Sequence, residues 1–430
     1  MKILITTDAY DAMVNGVAIS VKTLFGALKE AGHEVRILTL SQTLHSYQDG
    51  DVYYIGSAPL KIYPDARATL AFRNSLLDDI LEWEPDVIHS QCEFFTFVFA
   101  QRIAKQLHIP IVHTYHTLYE YYTHYFCPSE TVGRKVVAMG SRWICNRTDA
   151  VIAPTQKTAR ILEGYGVSSP IHVIPTGLSL ERLQKNTGNK QRNLKVHLHI
   201  PEDAPVIVTL GRLAREKNVD FLIAQMKHPK IQELGLHFVI VGDGPDRERL
   251  ETLMNNLNLR ETVHFTGMVA PEEVAQYYRL GNVFVSASSS ETQGLTYIEA
   301  MACGLPLLCF QDLCLESVLI PRYNGFFFQD DDSFVDSCCE LFGNHHGLKA
   351  MGQNALQTAS QFSKETFAHR ALQIYKDVIL QSQEAYWDFS YTDELAFAKY
   401  KNTNENRKEH PKCTRFACIP KRIWHKVTGY

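Results

Sequence analysis

The stretch GNVFVSASSSETQGLTYIEAMACGLPLLCF, residues 281–310, decides the fold. A short Val-rich run at 283–286 and a second apolar run at 306–310 bracket an amphipathic segment. That order, strand, loop, helix, strand, is the repeating unit of a parallel sheet. Gly294 breaks the chain ahead of the helix, so Glu291 belongs to the loop and Glu299 to the helix, with seven residues between them. On this reading the amides of Gly294, Leu295 and Thr296 form a helix start able to receive phosphate oxygens, with a carboxylate on either side. Each carboxylate can accept two hydrogen bonds from a vicinal diol, so one can hold a ribose and the other a hexose. A capping acid plus a surface glutamate would explain the two acids but not the glycine turn between them.

Working outward, the same rhythm recurs in two series. The first has strand candidates at 2–6, 34–40, 51–55, 86–90, 109–113, 150–153 and 172–174; the second has them at 205–210, 237–241, 263–265, 283–286 and 306–310. Between Pro175 and Pro205 the apolar rhythm stops, and SLERLQKNTGNKQRNLK (179–195) is polar with a basic excess. The expected organisation is an α/β chain of two Rossmann-like domains: residues 1–177, a linker 178–204, and residues 205–362. A helix at 363–390 returning to the first domain and a basic tail at 391–430 complete it. In open α/β sheets ligands bind beyond the carboxyl ends of strands, so the strand-to-loop junctions are the places to look for chemistry.

The first junction, TTDAYDAMVNGVAIS (6–20), sets Gly16 ahead of a helix expected to begin near Ala18. Amides at such a start can face an anion, although a lone glycine there is also an ordinary turn residue. HTYHT (113–117) puts His113 and His116 just past a buried strand. An imidazole at that place can bond a sugar hydroxyl or relay a proton, and His116, further from the apolar run, is the better candidate. TLGRLAREKN (209–218) places Arg212 and Lys217 five residues apart, suited to clamp a diphosphate and stabilise it as it leaves. VGDGPDRERL (241–250) fails the dinucleotide fingerprint because the third glycine position is Arg247, which speaks against a nicotinamide or flavin dehydrogenase. Its glycine turn remains compatible with nucleotide contact.

Together these residues resemble the retaining glycosyltransferases of family 4, which have the GT-B fold of two Rossmann-like domains facing a cleft. The resemblance runs over about residues 1–385 and rests on the Glu291–Glu299 spacing and on GRxxxEK at 211–217. It implies that Arg212 and Lys217 hold the donor diphosphate, Glu299 the ribose and Glu291 the transferred sugar. It also implies that Gly16 borders the diphosphate and acceptor and that His116 touches the sugar near its 6-hydroxyl. Such enzymes need neither a cofactor nor a divalent metal, their cations replacing it. Asp330, Asp331 and Asp332 therefore read as a turn and helix cap rather than a metal cluster. Within the family, HTLYEYYTHY (116–125) and SETQGLTYIEA (290–300) look most like bacterial diacylglycerol α-glucosyltransferases.

Composition narrows the partners. The 43 basic and 47 acidic residues leave a net charge of −4, so the whole molecule has no electrostatic reason to seek nucleic acid. Basic character is local. Arg102, Lys105, Arg134, Lys135, Arg142 and Arg147 are interleaved with Tyr115, Tyr119, Tyr121, Tyr122, Tyr125, Phe126 and Trp143, a mixture that an anionic membrane surface attracts. Packing of these aromatics inside the first domain is the plainer alternative. The tail KRIWHKVTGY (421–430) would add a second basic contact with Trp424 at the interface. Cys413 and Cys418 with His410 and His425 match no common zinc spacing, and the 10 Cys include no CxxC pair, so the thiols are expected to be reduced.

The sequence-based expectation is thus a hexosyltransferase moving glucose from a UDP-sugar to a membrane lipid such as diacylglycerol or a glycosyl-diacylglycerol. It would act in the cytoplasm, attached peripherally to the inner face of the membrane, since no signal peptide or apolar span is evident. A soluble acceptor and a nucleotide-sugar epimerase are the alternatives.

Overall fold

Along Lys2–Thr6 (β1), Ile3 and Ile5 join one apolar core while Leu4 joins another, so the strand is covered on both faces. That two-sided burial is what a Val- and Ile-rich strand of a parallel sheet requires. In the computed structural model, described for residues 1–8, 10, 16–60, 67–120, 123, 127, 129–184 and 190–403, with backbone alone for 190–192 and 385–403, two such sheets form.

After β1 come Glu34–Leu40 (β2), Tyr47–Asp49 (β3), Val52–Ile55 (β4), Ala58–Pro59 (β5), Arg67–Ala68 (β6), Val87–Ser90 (β7), Ile111–Thr114 (β8), Ala150–Ala153 (β9) and Ile171–Val173 (β10). The first sheet runs β10-β9-β8-β7-β1-β2-β4-β3, parallel except where β3 pairs antiparallel with β4; β5 and β6 make a small separate ribbon. The second sheet uses Val206–Leu210 (β11), His237–Val241 (β12), Val263–Gly267 (β13), Val283–Ser286 (β14), Leu307–Phe310 (β15) and Gly325–Phe328 (β16). Its order is β13-β12-β11-β14-β15-β16, all parallel. The two-domain α/β architecture expected from the sequence is therefore present.

Each sheet has one place where the strand order reverses. In the first it lies between β1 and β7, in the second between β11 and β14. Loops leaving such neighbouring strands diverge to opposite faces and open a crevice at the carboxyl edge.

The stretch 178–204, expected as a linker, is not an extended connection in its described part. Helices form at Leu180–Gln184 and Lys190–His197, and Leu178, Leu183 and Ile200 are buried in the second domain's core. Polar composition hid the few apolar residues that anchor it.

The last helix runs Lys364–Thr403, longer than expected, so the proposed tail from 391 is helical through 403; no Gly or Pro interrupts it. Phe367, Ala371, Tyr375 and Val378 from this helix complete the first domain's core. Tyr375 Oη lies 2.5 Å from His89 Nδ1, and Lys364 binds Glu30 at 2.6 Å. Asp330 caps the helix Asp331–Gly343 through a capping box with Ser333, as its sequence suggested. Residues 404–430, with Cys413, Cys418, His410, His425 and Trp424, and Tyr121, Tyr122, Tyr125 and Phe126 lie outside the described residues.

Candidate active site

Both crevices carry the residues singled out from the sequence. In the second domain, Arg212 and Lys217 stand on the loop after β11, and Glu291 on the loop after β14, so the two loops flanking the reversal point meet through side chains. Lys217 Nζ bonds Glu291 Oε1, with both side chains partly exposed. Arg212 is half exposed and holds Glu216 Oε1 at 2.7 Å. A cation already paired with a carboxylate can exchange that partner for a phosphate oxygen while the carboxylate turns to sugar hydroxyls.

Gly294 precedes the helix Leu295–Ala302 with φ +71°, a left-handed conformation that disfavours a side chain. A Cβ there would also come within 2.3 Å of the Tyr297 ring. The backbone is thereby turned so that Leu295 and Thr296 open the helix between the two glutamates. Glu299 accepts a 2.7 Å hydrogen bond from Tyr278 Oη, and burial pushes its carboxyl above the usual range. That hydrogen bond occupies Oε2.

The glycines of VGDGP have a structural explanation instead. A Cβ at Gly242 would sit 2.0 Å from Gly211 O and one at Gly244 2.2 Å from Leu213 O. They are needed because the loops after β11 and β12 pack backbone to backbone, with Leu213 N donating to Asp243 O at 2.9 Å. Nucleotide contact is not needed to account for them.

In the first domain, Gly16 opens the helix Gly16–Glu30, two residues earlier than expected. Among the described residues nothing lies within 4 Å of a Cβ built there, so no neighbour among them dictates the glycine. Across the reversal point, the loop after β7 presents Gln91, whose Oε1 accepts from His116 Nε2 at 2.6 Å. That bond leaves Nδ1 of His116 as an acceptor. Burial, with His113 nearby, lowers the His116 pKa to about 3, so the ring is neutral at physiological pH.

Around His116 lies a polar cluster that the sequence reading touched only at His113. Glu93 Oε1 is 3.5 Å from His113 Nε2, and Glu93 Oε2 accepts from Tyr119 Oη at 2.7 Å. Asp8 accepts from Thr96 N at 2.8 Å; burial, opposed by that hydrogen bond and aided by Glu93, raises its pKa to about 6. Among the described residues, Asp8 Oδ2, Gln91 Nε2, Glu93 Oε1 and both ring nitrogens of His113 are buried without a hydrogen-bond partner. Unsatisfied buried groups are rare and want a water or a polar ligand. The available signal was position: Asp8 and Glu93 both follow within three residues of a parallel strand's end.

The aromatic and basic segment divides. Tyr115 is buried, its Oη 2.8 Å from Ser141 Oγ, whereas Trp143 points outward with Arg147 stacked 3.9 Å from its ring centre. On the helix Glu130–Cys145, Val132, Val136, Met139 and Trp143 are each at least half exposed. Their spacing of four, three and four residues puts them on one face. Arg134, Lys135 and Arg142 are exposed on the same helix. Among the described residues, no helix is long and apolar enough to cross a membrane.

Comparison with known proteins agrees with this fold. Residues 14–182 match Glycosyltransferase Family 4 and residues 190–358 match Glycosyl transferases group 1. The chain is similar to alpha-monoglucosyldiacylglycerol synthase of Streptococcus pneumoniae, with 32% identity over 89% of this chain and 87% of that protein. The enzyme of the same name from Acholeplasma laidlawii is 29% identical over 88% of this chain and 98% of its own length. Among solved structures, Anabaena HepE in complex with UDP superposes with a TM-score of 0.70 at 17% identity, covering 88% of this chain and all of that one, a likeness of fold.

Proposed function

The chain belongs to glycosyltransferase family 4, and from that premise we propose that it moves glucose from UDP-glucose to the free hydroxyl of a membrane lipid. The acceptor is 1,2-diacylglycerol or a glycosyl-diacylglycerol, the anomeric configuration is retained, and no divalent metal takes part. The observation that carries the donor half is the Lys217–Glu291 pair at the reversal point of the second sheet, beside the helix start at Gly294. Two related proteins bearing the name alpha-monoglucosyldiacylglycerol synthase support the acceptor half.

In this reading Arg212 and Lys217 neutralise the diphosphate as the bond to the sugar ionises, the role a metal fills elsewhere. Glu291, released from Lys217, accepts hydrogen bonds from the transferred hexose. Glu299, steadied by Tyr278, has Oε1 left for the ribose diol. Leu295 and Thr296 offer helix-start amides to phosphate oxygens, and Gly16 leaves room for the diphosphate and acceptor to approach the first domain. Neutral His116 takes a hydrogen bond from a sugar hydroxyl through Nδ1. The acceptor oxygen attacks the face the diphosphate leaves, and its proton passes to the departing phosphate.

The apolar stripe of the helix Glu130–Cys145, rimmed by cations, is supported as the face that meets an anionic bilayer at the inner side of the membrane. The test is UDP release from UDP-glucose and UDP-galactose with a chelator present, with and without anionic vesicles carrying diacylglycerol. Release that requires the lipid and prefers UDP-glucose is expected. Release indifferent to lipid would overturn the lipid acceptor in favour of a soluble one, and donor converted without any acceptor would point to an epimerase.

A further inference from the structure

We propose that Lys157, on the helix Gln156–Gly164 of the first domain, is a positioning residue that sets the Glu291 loop of the second domain in its working geometry when the two domains are together. This deepens the transferase reading above and rests on it.

Lys157 Nζ donates to Ser289 O at 3.1 Å and Glu291 O at 3.3 Å, and meets both oxygens of Asp312 at 2.9 and 2.7 Å. The ammonium group's side chain is 7% exposed and the carboxylate's 10%. Its neighbours extend the grip. Thr155 Oγ1 donates to Thr292 O at 2.8 Å, and the Gln293 side chain pairs with the Thr176 backbone, accepting at 2.9 Å and donating at 3.0 Å. The carbonyls of residues 289, 291 and 292 and the side chain of 293 are thus all engaged by the first domain. The second domain reaches the same loop through Asn218 at Ala287 O (3.1 Å), through Lys217, and through a 3.5 Å contact at Ser290.

Burying a cation is costly, and a buried pair roughly breaks even against its desolvation, so such a pair selects one geometry more than it glues two surfaces. With the domains apart, Lys157 and Asp312 each regain water; with them together, the ammonium group orders the carbonyls that flank the Glu291 side chain. The loop that presents a carboxylate to the sugar is therefore finished by the domain that binds the acceptor. Misplacing such a group by about 1 Å can cost about two orders of magnitude in rate.

The test compares Lys157→Met, Asp312→Asn, which keeps an Oδ1 acceptor for Cys314 N, and the double variant with wild type in UDP affinity by calorimetry, in kcat and KM for UDP-glucose, and in thermal midpoint. Lys157→Met keeps the side-chain length, leaves Asp312 with its bond from Cys314 N alone, and strips the ammonium group from two carbonyls. Its kcat is expected to fall by about 30-fold or more, while UDP affinity changes by less than about threefold because Arg212 and Lys217 lie in the other domain. The double variant should recover the thermal midpoint but not kcat, since nothing then holds the carbonyls of 289 and 291. Wild-type kcat in Lys157→Met, or recovery of kcat together with the midpoint in the double variant, overturns the assignment. Should Lys157→Met not fold, Thr155→Val removes the bond to Thr292 O together with the helix cap on Thr158 N; a kcat reduced severalfold at unchanged UDP affinity and unchanged thermal midpoint upholds the grip, and an unchanged kcat overturns it. Wild-type UDP release on the same preparation separates the two claims. An inert wild type sinks the transferase reading itself, whereas an active wild type with indifferent variants sinks only the role of Lys157.

Discussion

Replacing Lys217 by Met tests the donor site most directly. In the structure Lys217 neutralises Glu291, and Arg212 is already engaged with Glu216. The substitution removes one cation from the diphosphate's surroundings and leaves the Glu291 carboxylate uncompensated beside it. Two unit charges about 5 Å apart at an effective dielectric of about 20 interact by roughly 3 kcal/mol. Each effect has that order before solvent screening of these partly exposed groups, which we take to halve it. The expected loss in kcat/KM for UDP-glucose is then about 3 kcal/mol in total, or about two orders of magnitude. Lys217→Met/Glu291→Gln removes the repulsion but not the missing cation, so KM should return toward wild type while kcat stays low. The assay is initial-rate UDP release at saturating lipid acceptor, with the thermal midpoint checked for each variant. A Lys217→Met enzyme within threefold of wild-type kcat/KM, or a double variant whose losses simply add, would refute the paired arrangement as the donor site.

Three further outcomes are expected. Gly294→Ala forces a left-handed residue and a clash with Tyr297, together about 2–4 kcal/mol of local strain; the donor KM should rise at least tenfold, and an unchanged KM at an unchanged thermal midpoint would show that the helix start is not where the donor sits. Met139→Asp with Trp143→Ala on the exposed stripe should weaken sedimentation with anionic vesicles by at least tenfold, each lost side chain being worth about 1.5–3 kcal/mol when buried, while turnover of detergent-solubilised acceptor is kept; equal sedimentation would move the membrane face elsewhere. His116 stays neutral down to about pH 3 in the fold but protonates near 6.5 when unfolded, so the unfolded chain binds more protons in that window and stability falls as pH drops through it, by at most about 1.4 kcal/mol per unit. Asp8, raised to about 6, acts in the opposite sense between 3.8 and about 6, so the comparison needed is the slope of thermal midpoint against pH in His116→Asn, which should be shallower than wild type below about pH 6.

How much of this was legible depended on whether a residue's role was local. Strands such as Val206–Leu210 and His237–Val241 were readable because burial on both faces writes an unbroken apolar run, and the places of the cations, Gly294 and the two glutamates were readable because each sits at a junction whose direction such a run fixes. Gly325–Phe328 was not recognised as a strand: four residues after a turn carry little periodicity, and only pairing with Leu307–Phe310 reveals it. Leu178, Leu183 and Ile200 failed for the same reason, being isolated apolar residues in a polar stretch whose value comes from the core they reach. Asp8 and Glu93 are common residue types in unremarkable local contexts; it is the meeting of Asp8 with Glu93, and of Glu93 with His113, from separate strands that makes them chemically unusual.

The two sheets divide the labour in a way that follows from topology. Each reverses its strand order once, and at each reversal the two diverging loops supply the candidate groups: Asp8 and Gly16 with Gln91 and Glu93 in the first domain, Arg212 and Lys217 with Glu291 in the second. A crevice in either domain alone would bind half of a reaction. The contacts from Thr155, Lys157 and Thr176 to residues 289–293 run from the carboxyl edge of one sheet to the reversal point of the other. On the proposed roles, the loop that would hold the sugar is finished by the domain that would receive it. On the proposed roles, an enzyme built so would bind its nucleotide with the domains apart and keep the reactive bond from water until they meet, because the contacts joining residues 289–293 to the first domain would also order the carboxylate at Glu291.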